Sequence, residues 1–147
     1  MARIRETLQV AIAPEQAFDH VAEFTSTASW DPGITAARRL DDGPLGVGSR
    51  FEVQSKIGPA SVPLVYEITH YERPGRVVLR TKGLLHEGED DVRFVPRDGG
   101  TEVAWDARFR VRGPGLLLEP ALGPSFRRVG AKAIKGLERS LTALAAG

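Results

Sequence analysis

The feature that most constrains the fold is a long run of helical periodicity in the last third of the chain. After the breaker Gly113-Pro114-Gly115, apolar residues recur at steps of three and four, with basic residues between them. This spacing predicts a helix over about 121–146 with a single apolar stripe. Such a helix, roughly 39 Å long at ~1.5 Å per residue, needs an apolar partner of comparable extent. The stripe consists of Leu118, Leu122, Phe126, Val129, Ala133, Leu137, Leu141 and Leu144.

Most of the chain before this helix alternates between apolar and polar residues, which is typical of half-buried strands. Pro14 suits the first position of a helix after the first strand, and a second short helix should end near Trp30. The turns between the later strands are short, so the sheet should be an antiparallel meander that offers the long helix one face. Strands are predicted at 3–12, 34–41, 49–57, 62–73, 76–82, 85–96 and 101–112.

Composition excludes several classes of protein. A net charge of +1 over 147 residues gives no electrostatic reason to expect nucleic-acid binding. No apolar run reaches the ~18 residues of a membrane span, and the N-terminal residues alternate from the start, without the apolar core of a signal peptide. The absence of cysteine excludes disulfides and cysteine-based zinc sites. We therefore expect one domain over residues 1–147, forming a cytoplasmic monomer or homodimer.

Several short motifs, taken in their order along the whole chain, resemble one known family. They are Ala13-Pro14-Glu15-Gln16-Ala17-Phe18, Trp30-Asp31-Pro32, Gly46-Val47-Gly48-Ser49-Arg50, Gly100-Thr101-Glu102-Val103-Ala104-Trp105, and Gly113-Pro114 leading to Leu116-Leu117-Leu118-Glu119-Pro120. With them the chain resembles the polyketide cyclase/dehydrase-like branch of the START/Bet v 1 (SRPBCC) superfamily. The resemblance implies an α+β helix-grip fold, in which a seven-stranded curved antiparallel sheet wraps around the long C-terminal helix, with two short helices after the first strand.

The same resemblance implies an internal cavity. Families of this type mostly bind apolar small molecules, and some members catalyse the cyclisation or dehydration of polyketides. The superfamily has no shared catalytic residue, so the resemblance carries no active site over to this chain.

Aromatic residues in the inward phase of the predicted elements are candidates for the cavity wall. Core packing explains any one of them, since burying such a side chain stabilises the fold by about 1.5–3 kcal/mol. Gly130 and Gly136 lack a side chain where the long helix should press inward, which either leaves room for a ligand or lets a strand approach closely. The predicted ligand-binding residues are Trp30, Phe51, Tyr66, His70, Trp105, Phe109, Phe126 and Gly130.

Polar residues also fall in the inward phase. His70 continues the face of Tyr66, Asp90 shares a face with Val92, and Glu6 interrupts the first strand. Buried polar groups cost a few kcal/mol unless they are hydrogen-bonded, so each needs a partner, a wet rim or a ligand. The catalytic candidates are His70, Tyr66 and Asp90, which could supply a proton shuttle, a donor and an orienting group. Placement of these residues at a solvent-exposed rim is the simpler alternative.

The acidic run around His86 does not predict a metal site. On one strand His86 and Asp90 would lie about 13 Å apart at ~3.3 Å per residue, too far to share an ion. We therefore predict no metal and no cofactor. Two functions remain open: binding or carriage of a small hydrophobic molecule, and an aromatase-type polyketide cyclase/dehydratase that uses acid/base groups in the cavity.

Overall fold

The computed structural model describes residues 2–57, 59–113 and 119–146, without the side chains of residues 57, 119–126 and 146. The helices are α1 (Pro14–Ala22), α2 (Thr27–Trp30) and α3 (Glu119–Ala146), with a 3-10 turn at Phe24–Ser26. The predicted strands are all present, and their ends lie within two residues of the predicted ends. They are β1 (Ala2–Val10), β2 (Ile34–Arg39), β3 (Arg50–Ile57), β4 (Ala60–Glu72), β5 (Arg76–Lys82), β6 (His86–Arg97) and β7 (Gly100–Val111).

The strands form one seven-stranded antiparallel sheet in the order β1-β7-β6-β5-β4-β3-β2. Strands β2 to β7 are neighbours in sequence order; ten residues join β2 to β3, and the other connections are turns of two or three residues that leave no length for a crossover. The first strand instead pairs with the last, with Ala2 opposite Phe109 and Val10 opposite Thr101. The helix-grip fold expected from the sequence is therefore confirmed.

The first helix covers one end of the sheet. Pro14 occupies its first turn, and the Ala13 N–H donates to Oε1 of Gln16 at 3.4 Å. The fully buried ring of Phe18 makes edge-to-face contacts with Tyr71 and Phe94, at centroid distances of 5.0 and 5.4 Å. Such aromatic pairs stabilise a fold beyond the area they bury. They hold α1 in place, and the chain can then cross from β1 to the far edge of the sheet.

The long helix packs with part of its predicted stripe. Ala133, Leu137 and Leu141 are buried, whereas Val129 and Leu144 are 39% and 38% exposed. The side chains of the remaining predicted members, Leu118, Leu122 and Phe126, lie outside the described residues. In the part of the chain that the structure describes, no helix is both long and apolar enough to cross a membrane.

Gly136 marks the closest contact between α3 and the rest of the fold. A Cβ atom at this position would overlap the carbonyl oxygen of Trp30 and lie 3.0 Å from its carbonyl carbon. Of the two explanations that the sequence left open, close approach therefore applies here, although the approaching element is α2 and not a strand. At Gly130 the neighbour is the side chain of Ile4 on β1.

Candidate ligand cavity

A cavity of about 190 Å³ lies between α2, the 129–134 segment of α3 and the concave face of the sheet. The rings of Trp30 and Trp105 meet edge to face at 5.6 Å, and those of Phe24 and Tyr66 lie 5.0 Å apart. Sites for drug-sized ligands are typically ~300–1,000 Å³, so this volume suits a molecule of one or two rings. The apolar part of the wall includes Phe24, Trp30, Leu64, Trp105, Phe109 and Ile134.

Five of the predicted ligand-binding residues contribute to this wall: Trp30, Tyr66, Trp105, Phe109 and Gly130. Phe51 points inward as expected but does not line the cavity, because it is fully buried against Phe24 at a centroid distance of 6.1 Å. The side chain of Phe126 lies outside the described residues. Phe24, in the 3-10 turn, and Asp31, directly after α2, also line the cavity, although neither was among the predicted site residues.

His70 does not line the cavity, contrary to the expectation from alternation. A β-bulge between Ile68 and His70 inserts an extra residue into β4. The bulge reverses the phase of the strand, so Tyr71 joins the core and His70 turns outward. The imidazole is 43% exposed, and its Nε2 lies 3.1 Å from a carboxylate oxygen of Glu72. Glu6, the other unexplained inward position, is exposed as well.

Three side chains with an ionisable oxygen line the cavity, and they come from different elements. Asp90 lies on β6 between Leu79 and Ala107 of the neighbouring strands, Tyr66 lies on β4, and Asp31 directly follows α2. Oδ1 of Asp31 accepts a hydrogen bond from the Gly33 N–H at 2.8 Å. Asp90 lines the cavity and is half-buried, and this burial partly desolvates its carboxyl group.

Burial gives these groups unusual protonation behaviour. Burial, and then the charge of Asp31, raise the pKa of Asp90 to about 7, while a hydrogen bond from Trp105 works in the opposite direction. Burial also raises the pKa of Asp31, opposed by the Gly33 N–H. The pKa of Tyr66 is raised well above its usual value by burial and by the two carboxylates. Near neutral pH, Asp90 can therefore exchange a proton while Tyr66 remains a hydrogen-bond donor.

The acidic run on β6 divides between the two faces of the sheet. Asp90 points inward, whereas Glu87 contacts Arg110 and Arg112 on the outer face. His86 stacks on Phe109 at 6.0 Å, and its Nε2 lies 3.1 Å from Oγ1 of Thr81. Among the described residues, no three His, Asp or Glu side chains converge in a way that could hold a metal ion.

The sequence matches a family model described as polyketide cyclase / dehydrase and lipid transport, over residues 1–146. The chain belongs to this family. The resemblance inferred from its motifs is thereby confirmed. A search of proteins with curated functions gives no match for this member of the cyclase/dehydrase family.

Solved structures show the same fold at low sequence identity. The protein TTHA0849 from Thermus thermophilus is 16% identical, with 97% of this chain and 98% of that one covered and a TM-score of 0.81. A START superfamily protein from Mycobacterium smegmatis is 18% identical, with 97% and 100% covered and a TM-score of 0.73. The di-domain ARO/CYC StfQ from the steffimycin biosynthetic pathway is 12% identical, with 99% and 52% covered and a TM-score of 0.72. These neighbours establish the fold of this cyclase/dehydrase family member, and at such low identity they do not identify its ligand.

Proposed function

We propose that this protein binds or carries a small hydrophobic molecule of one or two rings in the cavity between α3 and the sheet. The observation that carries the proposal is the aromatic wall, in which Trp30, Trp105 and Phe109 surround about 190 Å³ of space. An apolar ligand gains about 25 cal/mol for each Å² that it removes from water. Tyr66 and Asp90 would orient its polar end, as a few convergent polar groups do in most ligand sites.

The family description also supports this proposal, because it includes lipid transport. A lipid-sized molecule exceeds the volume of this cavity, so the proposal is limited to smaller ligands. Gly130 also lines the cavity, and the side chain of Ile4 fills the position that a Cβ atom would occupy there.

Ethylbenzene should bind in the cavity with a dissociation constant of a few tenths of a millimolar, equivalent to about 5 kcal/mol for its eight carbon atoms. The chain has two tryptophans and both line the cavity, so their two indole N–H signals in an NMR titration report binding directly. Ala107→Leu should weaken binding at least tenfold, because the larger side chain fills space beside Asp90.

The matched control for this titration is Ala104→Leu, the same substitution on the opposite face of β7. It should leave the affinity for ethylbenzene unchanged. Failure of ethylbenzene to shift either indole signal would refute the cavity proposal, as would equal weakening by the two variants.

A second candidate function is that of an aromatase-type polyketide cyclase/dehydratase. The observation that favours it is Asp90, a carboxyl group with a pKa of about 7 that faces the cavity together with Tyr66. A general acid/base works best when its pKa lies near the operating pH. Asp90 could remove a proton from a carbon between two carbonyls of the substrate, so that this carbon attacks a second carbonyl and forms a C–C bond. The proton then returns from Asp90 to the new alkoxide, while Tyr66 donates a hydrogen bond to a substrate carbonyl.

The cyclase function predicts that Asp90→Asn lowers turnover of a poly-β-keto substrate by about 10²–10⁴-fold, which is the usual contribution of a general acid or base. His70→Ala should leave turnover unchanged, since His70 faces solvent beside Glu72. Product formation can be followed by mass spectrometry. A wild-type protein that binds such a substrate and returns it unchanged would eliminate this candidate.

A further inference from the structure

Two carboxyl groups face the aromatic cavity without a cationic partner. Asp31 and Asp90 both line it, and each lies near enough to the other for their charges to interact. Among the described residues, no Lys, Arg or His forms an ion pair with either of them. An unpaired carboxylate withdrawn from water is costly, so a cavity that contains two favours a compensating positive charge.

The basic residues that border the cavity do not supply this charge. Lys56 lies on β3 in phase with Glu52, opposite to the buried Phe51 and Val53, and is exposed. Arg108 lies on the outer face of β7, where it is 47% exposed and 3.8 Å from Asp106. The α3 residues in the wall are apolar, and the sequence of 114–126 contains no Lys, Arg or His.

Four aspartates elsewhere in the chain have the opposite arrangement. Asp19, Asp41, Asp91 and Asp106 each contact an arginine at 2.7–2.9 Å. Asp91 is the most direct comparison, because it is the next residue after Asp90 and pairs with Arg76 on the outer face of the sheet at 2.8 Å. Asp31 and Asp90 differ from these four aspartates in having no arginine partner among the described residues.

Aromatic rings around the same space would also favour a cation. Trp30 and Trp105 meet edge to face, and Tyr66 and Phe24 pack together beside them. An ammonium group over the face of an aromatic ring is stabilised by about 0.5–2 kcal/mol, and a carboxylate adds a charge-assisted hydrogen bond. Rings and carboxylates together are the chemistry that recognises an amine attached to an apolar body.

We infer that the ligand of this cavity is a small apolar or aromatic amine, bound as its cation with the ammonium group between Asp31 and Asp90. This inference rests on the proposed binding function and specifies the chemical class of the ligand. It excludes fatty acids and other carboxylates as preferred ligands, because their charge would meet two groups of the same sign.

A matched ligand series tests the inference on the intact protein. Ethylbenzene, 2-phenylethylamine and 3-phenylpropionate share one ring and differ in the charge at the end of a short chain. At pH 8 the amine should bind at least about tenfold more tightly than the carboxylate, since a hydrogen bond to a charged group contributes about 1.5–3 kcal/mol. Affinities can be read from the two indole N–H signals.

The amine should also bind about tenfold more tightly at pH 8 than at pH 6, because Asp90, with a pKa of about 7, is mostly protonated at the lower pH. An alkylammonium keeps its charge over this range, since its pKa is about 10. Among the described residues, the groups that interact with Asp90 are Asp31, Glu89, Tyr66 and the neutral Trp105, and none of them supplies a positive charge. The affinity for ethylbenzene should stay constant between the two pH values.

Two variants test whether Asp90 is responsible for the preference for the amine. Asp90→Asn should remove most of the preference for the amine, whereas Asp91→Asn, which alters the adjacent carboxylate on the outer face, should preserve it. Equal or tighter binding of 3-phenylpropionate by the wild-type protein would overturn the inference and leave the binding function intact if ethylbenzene still binds. Loss of binding for the whole series would overturn both.

Discussion

Gly136→Ala should lower the free energy of unfolding by about 2–3 kcal/mol, although the same substitution inside a helix normally raises it by up to about 1 kcal/mol. The new Cβ would overlap the carbonyl oxygen of Trp30, a backbone atom at the end of α2. No side-chain rotation relieves this overlap, so α2 or α3 must move, and overpacking of a rigid contact typically costs about 1–3 kcal/mol or more. Urea denaturation followed by circular dichroism measures the change.

Gly130→Ala is the matched control in the same helix. Its Cβ would meet the side chain of Ile4, whose terminal methyl group can turn away, so we expect a change within about 1 kcal/mol of the wild-type value. If Gly136→Ala proves as stable as Gly130→Ala, the tight contact between α2 and α3 described above is wrong.

Asp90→Asn should make the protein more stable than the wild type at alkaline pH, and the difference should grow with pH. Asp90 has a pKa of about 7 in the folded state and about 3.9 when unfolded, so the folded state binds more protons between these values. Stability of the wild type is therefore lost as the pH rises through this window. Asparagine cannot ionise, and its side-chain oxygen can still accept the Trp105 hydrogen bond.

The stability difference between the variant and the wild type should increase by about 2–3 kcal/mol from pH 4.5 to pH 8. This figure allows for partial solvation of Asp90 within the cavity. The lowered pKa values of His20 and His86 act in the opposite direction, but both proteins contain these histidines and their effect cancels in the difference. If the free energy of unfolding changes with pH in the same way for the two proteins, Asp90 is not withdrawn from water.

The sequence by itself predicted the secondary structure and the fold family. Apolar alternation, the Pro and Gly residues at turns and the helical stripe after Gly113 are local properties, so the predicted strand ends lie within two residues of the observed ones. The inward phase of β7 was also predicted correctly, and with it the positions of Trp105 and Phe109 in the cavity wall.

Tertiary structure decided how the cavity is completed. The bulge after Ile68 arises from the register of β4 against β5, which a single strand does not encode, so alternation placed His70 inward when it faces solvent. The sequence around Asp31 predicts only the end of a helix. The packing of α2 over the sheet brings Asp31 to the cavity with Asp90. Local patterns fix which face a residue takes while the strand stays regular; long-range pairing fixes where that regularity ends and which distant groups share one site.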